Sequence, residues 1–163
     1  MQTEGQLTIR EFEPGDEVAF RRLNEEWIVR YFAIEPKDEE TLADPKGAVL
    51  AGGGRIFFAV RRGETVGCCA LLAMGDGEFE VAKMAVTESS QRAGVGRQLL
   101  ETVIASARAS GARRLFLETN GKLGPAIRLY ESVGFRHIPA ERKVASPYAR
   151  SDVSMELELG TGR

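Results

Sequence analysis

The sequence predicts a single mixed α/β domain. Three observations predict it. The first is the order of periodicities: a strand, two helices, three strands, a helix, a strand, a helix and two strands. The second is size, since 163 residues are enough for one domain with a respectable core. The third is uniformity. No repeat, linker or low-complexity stretch interrupts the chain, and 43% apolar with 28% charged residues is ordinary for a globular protein.

Leu7-Thr8-Ile9-Arg10-Glu11-Phe12 alternates apolar and polar residues, the mark of a first strand. Pro14-Gly15-Asp16 turns the chain, with Asp16 placed to cap a helix. From Phe20 the large apolar residues fall at Leu23, Trp27 and Tyr31, steps of three and four that mark one helix face. A short second helix is expected over Asp38 to Leu42, ending before Pro45, and Gly52-Gly53-Gly54 reads as a flexible joint. Arg55 to Val60, Val66 to Met74 and a run ending at Val86 read as an antiparallel meander, with turns at Arg62-Gly63-Glu64 and Gly75-Asp76-Gly77. Val95, Leu99, Leu100, Val103, Ile104 and Ala107 outline a long amphipathic helix closed by Gly111. Leu115 to Leu117 is a buried strand, and Pro125 and Gly134 punctuate the next helix. Phe135 to Ile138 and Val153 to Leu159 close the order as strands, with an irregular connection from Pro139 to Arg150.

Composition excludes several classes. A net charge of −2 argues against a nucleic-acid partner held by electrostatics. The basic residues come in scattered pairs such as Arg21-Arg22 and Arg113-Arg114. No apolar stretch approaches the ~20 residues that cross a bilayer. Met1 to Gly5 lacks a signal-peptide pattern, so a cytoplasmic protein without a membrane partner is expected. Cys68 and Cys69 are neighbours on a strand and point to opposite faces, which makes them core thiols and not a disulfide. With one histidine in the chain, no Cys/His spacing supports a metal site.

The most informative segment is Gln91-Arg92-Ala93-Gly94-Val95-Gly96, between an apolar run from Glu78 to Val86 and a helix. Such a turn aims backbone N–H groups at one point, where the helix dipole adds positive partial charge, so the segment suits a phosphate or pyrophosphate. A nucleoside-triphosphate loop would need Lys-Ser/Thr where Arg97 and Gln98 stand. A dinucleotide fingerprint would want a third glycine at Leu99.

The remaining pattern, Gln/Arg-x-x-Gly-x-Gly/Ala between strand and helix, resembles the pyrophosphate loop of the GNAT acyl-CoA acyltransferases. Glu80 to Val86 is similar to that family's preceding strand, and Pro125-Ala126-Ile127-Arg128-Leu129-Tyr130-Glu131-Ser132-Val133-Gly134-Phe135 to its helix-then-strand signature. The resemblance implies a mixed, mostly antiparallel sheet flanked by helices that splays near the cofactor, acetyl-CoA as cosubstrate, and N-acetyl transfer to a primary amine of a small molecule or peptide. It implies that Gln91, Arg92, Ala93, Gly94, Val95, Gly96 and Arg97 surround the pyrophosphate. It also implies that Met84, Ala85 and Val86 pair with the pantetheine arm, one of their N–H groups polarising the thioester carbonyl. Tyr130 matches the family's general acid toward the thiolate, and Glu80 stands where a carboxylate often serves as base. Glu118 is the second candidate base, and a salt bridge with Lys83 or an arginine is the competing role for Glu80. On a regular strand Glu80, Ala82 and Met84 share a face unless a bulge intervenes.

One departure stands out. Many members carry asparagine where this chain has Leu123, and Asn120 is the nearby residue that could take over the contact. The acceptor pocket is expected where the early helices meet the late connection, lined by Trp27, Tyr31, Phe32, Tyr148 and Arg150. Helical spacing also suits Trp27 and Tyr31 to core packing, and His137 reads as a surface residue. Neither cysteine has a base beside it, which favours direct attack over a covalent acyl-enzyme. The rival from another class is an acyl-CoA-binding sensor with little turnover. A homodimer is left open, since dimers are common among look-alikes.

Overall fold

Residues 6–160 are described by a computed structural model, and within them seven strands form one sheet. Met1 to Gly5, read above for a signal peptide, lie outside the described residues, as does the side chain of Arg92. The strands are β1 (Leu7–Glu11), β2 (Arg55–Arg61), β3 (Glu64–Gly75), β4 (Glu78–Val86), β5 (Arg114–Thr119), β6 (Arg136–His137) and β7 (Val153–Glu158), in the order β1-β2-β3-β4-β5-β7-β6. Every neighbouring pair is antiparallel except β4 with β5. The helices are α1 (Glu17–Tyr31), α2 (Pro36–Ala43), α3 (Val95–Ala109) and α4 (Gly124–Ser132). The expected order of elements is therefore the observed one.

Strand alternation sorts the core into two layers. Phe57, Ala59, Cys69, Leu71 and Val81 face α3, which buries Val95, Leu99, Leu100, Val103, Ile104 and Ala107 against them. Ile56, Phe58, Cys68 and Ala70 face the opposite way, toward Phe20 and Leu23 of α1 and Leu42 of α2. The adjacent cysteines thus enter different layers, as strand geometry requires. Burial drives the Cys68 thiol up to about 12, so it stays protonated and inert. Each fully buried Leu or Val contributes about 1.5–3 kcal/mol, so α3 is the main anchor of one face. Among the described residues no helix is long and apolar enough to cross a membrane.

Four local expectations are corrected. Asp16 occupies the cap position of α1 but makes no capping bond; its carboxylate accepts from Arg10 at 2.7 and 3.1 Å and from the Glu13 N–H at 2.6 Å. The second helix starts earlier than expected, at Pro36, because Glu35 and Asp38 close a reciprocal capping box around its first turn. A single π-turn, Lys46–Leu50, follows it. The glycine triplet is also no loose joint, for a Cβ on Gly54 would stand 2.2 Å from the Leu71 carbonyl oxygen, so close backbone approach demands glycine there.

The fourth correction lies on β4. Ala82 pairs with Ala70 and Ala85 with Cys68, so Lys83 and Met84 together oppose the single residue Cys69. Lys83 is the inserted residue and sits in the left-handed region at φ 53°. The bulge reverses the alternation beyond it. Glu80 and Ala82 remain on the α1 side, while Met84 and Val86 turn toward the α3 layer. Glu80 and Met84 therefore do not share a face.

Candidate active site

The parallel strands part company after three residue pairs. Glu78, Phe79 and Glu80 pair with Arg114, Leu115 and Phe116, and there the ladder stops. β4 runs on to Val86 without a partner on that side, while β5 continues along β7 as far as Thr119–Val153. A cavity of about 370 Å³ occupies the gap. It passes through the sheet, so the α1 side contributes Trp27, Tyr31, Phe32, Glu80, Tyr148 and Arg150, and the α4 side Met84, Leu129 and Tyr130. Both candidate catalytic side chains, Glu80 and Tyr130, enter this one space from opposite faces.

Other sequence-selected residues converge on it as well. Ala85, Val86, Gln91, Gly96, Glu118 and Asn120 line the cavity with those named. Ala93, Gly94, Val95 and Arg97 do not. Val95 is buried in the α3 core and Arg97 donates to the Ser132 hydroxyl at 2.7 Å. Gly94 adopts φ 77° with open space where a Cβ would be, between the 3₁₀ turn Glu88–Ala93 and the first turn of α3. Gly96 lies against Leu129 and Met84, close enough that a Cβ would touch both at 3.4–3.5 Å. Glycine thus keeps the start of α3 open to the cavity's edge. Gln91 donates to the Val86 carbonyl at 3.0 Å and so ties the loop to the end of β4.

The electrostatics separate the titratable groups. Burial, helped by the nearby Glu118 carboxylate, raises Glu80 from 4.5 to about 7, against the pull of Lys83 and Lys37. No ion pair is formed by Glu80 among the described residues. Lys83 donates to Asp38 at 2.7 Å and to the Tyr148 oxygen at 2.9 Å, so it does not make the salt bridge weighed above as the competing role for Glu80. Burial pushes the Tyr130 phenol upward, so it keeps its proton at neutral pH. Its ring packs edge-on against Phe135 at 6.0 Å, and its hydroxyl has no hydrogen-bond partner among the described residues. Tyr148 is likewise raised by burial. Asn120 donates to the Arg150 carbonyl at 2.7 Å and accepts from the Lys122 N–H at 2.8 Å, so its amide builds the rim. His137 is a surface residue paired with Glu131 at 2.9 Å.

Two charged residues that support the cavity wall, Asp38 and Lys83, are not among the site residues read from the sequence. Asp38 reads as the start of a short helix, and Lys83 only as a salt-bridge partner for Glu80. The only available signal was a lysine inside an apolar strand run, which announces a bulge or a buried partner.

The arrangement is a slot with the Glu80 carboxyl on one side and the Tyr130 phenol on the other, edged by β4 backbone that has no strand partner there. A model of the Acetyltransferase (GNAT) family matches residues 19–135. The chain belongs to the GNAT acetyltransferase family. It is 34% identical over 122 residues to an IAA acetyltransferase of Azospirillum brasilense, covering 74% of this chain and 72% of that one. A crystal structure of a GNAT-family acetyltransferase from Staphylococcus aureus Mu50 superposes with a TM-score of 0.87 at 19% identity, covering 95% of this chain and all (100%) of the other. The ribosomal-protein-S18-alanine N-acetyltransferase of Escherichia coli matches with a TM-score of 0.74 at 27% identity, covering 94% of each chain.

Proposed function

We propose that the protein transfers an acetyl group from acetyl-CoA to a primary amine of a small molecule or peptide by direct attack. The observation that carries this reading is the entry of Glu80 and Tyr130 into one cavity from opposite faces of the splayed sheet. The edge of β4 from Met84 to Val86, which has no strand partner on the β5 side, suits the amides of a pantetheine arm laid along it as an extra strand. A backbone N–H on that edge, re-aimed by the bulge, is placed to polarise a thioester carbonyl. The turn from Gln91 to Arg97 brings the N-terminus of α3 to the slot's mouth, where backbone N–H groups and the helix dipole favour a pyrophosphate.

Proton traffic follows from the environments. An alkylammonium must lose a proton before it attacks, and Glu80 at about 7 is ionised over half the population near neutrality, basic enough to accept that proton. Tyr130 holds a proton on the other side of the gap and can hand it to the departing thiolate. The same apolar surroundings that raise a phenol also raise a thiolate's basicity, which keeps the transfer feasible. Neither Cys68 nor Cys69 reaches the cavity, and both thiols are raised by burial, which supports attack without an acyl-cysteine. The acceptor would stand on the α1 side, among Trp27, Tyr31, Phe32, Glu118 and Tyr148.

The test is to incubate the protein with acetyl-CoA and a panel of small amines and peptides, detecting N-acetyl products by mass spectrometry. Selective product formation is expected. Binding of acetyl-CoA with no product on any acceptor would replace the enzyme reading by that of an acyl-CoA sensor.

A further inference from the structure

Asp38 is fully buried on α2 and lies behind the cavity, not in its lining. Its carboxylate accepts from Lys83 Nζ at 2.7 Å, from the two terminal Arg150 nitrogens at 2.7 and 2.6 Å, and from the Glu35 N–H at 2.9 Å. The donors come from three places far apart in sequence: the bulge of β4, the connection before β7 and the first turn of α2. Asp38 is the point at which they meet. Lys83 goes on to the Tyr148 oxygen, and the Arg150 guanidinium lies 4.6 Å from the Tyr148 ring centre and 5.8 Å from that of Trp27. Glu35 reinforces the same loop through the Ala149 N–H at 2.8 Å.

Stability alone does not explain this cluster. Taking a carboxylate and two cations out of water offsets much of their mutual attraction, and apolar side chains of similar volume often serve a core as well. A fully satisfied buried polar network instead selects one arrangement of the parts it joins. The parts joined here are cavity walls. Lys83, Tyr148, Arg150 and Trp27 all line the space that Glu80 enters, and each touches Asp38 directly or through one neighbour.

We propose that Asp38 is a positioning residue for the acceptor: by gripping Lys83 and Arg150 together, it fixes the Trp27–Arg150–Tyr148 wall and so sets where the amine stands. The acceptor role rests on the acyl-transfer reading above. The left-handed backbone at Lys83 is what turns its ammonium toward Asp38, so the grip begins in the bulge itself.

The full chain, Asp38→Asn and Lys83→Met are compared by three measurements. These are acetyl-CoA affinity by calorimetry, kcat and KM for the acceptor identified in the panel, and acrylamide quenching of Trp27, the one tryptophan of the chain. For Asp38→Asn, acetyl-CoA affinity is expected to stay within about threefold of the full chain's value. Its kcat/KM for the acceptor should fall about 100-fold, the loss expected when a reacting group is misplaced by roughly an ångström. The Trp27 quenching constant should rise as Arg150 leaves the ring. Lys83→Met keeps the Asp38–Arg150 pair, so it should show a smaller loss, about tenfold, with quenching nearer the parent's. A folded Asp38→Asn protein with unchanged acceptor kcat/KM overturns the proposal, and so does an equal loss of acetyl-CoA affinity and acceptor efficiency. Should Asp38→Asn fail to fold, Lys83→Met decides by the same criteria. If the unaltered protein acetylates nothing, the acyl-transfer reading falls. Unchanged Trp27 quenching in both folded variants overturns the clamp whatever the activity.

Discussion

Replacing Glu118 by glutamine is expected to move the acid limb of the kcat/KM profile toward lower pH. As the proposed base, Glu80 would act only when ionised, so the rate should fall as pH drops through its value of about 7. Glu118 on β5 is two residues beyond Phe116, the register partner of Glu80. Strands lie about 4.8 Å apart and two residues span about 6.6 Å, which puts the carboxylates roughly 8 Å apart. Coulomb's law then gives about 0.5 kcal/mol at the dielectric of water and about 2 kcal/mol at an effective value near 20. At 1.36 kcal/mol per pK unit, the limb should move down by roughly 0.4–1.5 pH units. Burial remains after the substitution, so the limb should stay well above an ordinary carboxylate's. The assay is kcat/KM for one amine from pH 5 to 9 in both proteins. The amine's own titration is common to both, so the displacement isolates the enzyme group. Glu80→Gln is the control and should lose the limb. An upward displacement, or a limb near 7 that survives in Glu80→Gln, refutes Glu80 as the base.

Other outcomes follow from the same geometry. Tyr130→Phe should lower kcat by about 10²–10³-fold while leaving acetyl-CoA affinity nearly unchanged, because the ring's packing on Phe135 survives and only the donor is lost. A calorimetric affinity that falls in step with kcat would count against the acid role. Glu80→Gln should stabilise the protein at alkaline but not at acid pH. The folded value lies above the unfolded one, so the carboxyl's favourable protonation is fully present below about 4.5 and is lost as pH rises through about 7. Unfolding free energies from denaturant titrations should therefore agree at pH 4 and differ at pH 8 by about 3 kcal/mol in the variant's favour.

The fold was legible because its signals are local. Apolar residues at helical spacing in α3 and paired turn signals around β3 each specify an element without reference to the rest of the chain. The cavity was legible in part for the same reason, since a strand, a glycine turn and a helix are adjacent in sequence. The bulge was not. The lysine inside the apolar run hints at an irregularity, but whether Lys83 or a neighbour is inserted opposite Cys69 depends on the pairing of β3 with β4, which Val81-Ala82-Lys83-Met84 alone does not set. Asp38 was hidden by distance, because its donors Lys83 and Arg150 lie 45 and 112 residues along the chain. The bond from Gln91 Nε2 to the Val86 carbonyl was hidden in the same way, because it depends on how the loop packs against the end of β4.

On the proposed reading, one irregularity serves both halves of the reaction. The insertion at Lys83 turns Met84 and Val86 to the α4 side, where a pantetheine arm would run, and it turns the lysine itself toward Asp38, which holds the acceptor wall. Backbone and side chain can be separated by Lys83→Gly. Glycine accepts φ near 53° without the cost of about 1–2 kcal/mol that a side chain incurs in the left-handed region, so the bulge should survive. The ammonium is lost, and with it the link from β4 to Asp38 and Tyr148. Acetyl-CoA affinity should then stay close to the parent's, whereas KM for the acceptor should rise about tenfold as the wall loosens. Were acetyl-CoA affinity to fall instead, with acceptor KM intact, the lysine side chain would belong to the donor half of the site, and the division of labour drawn from the bulge would be wrong.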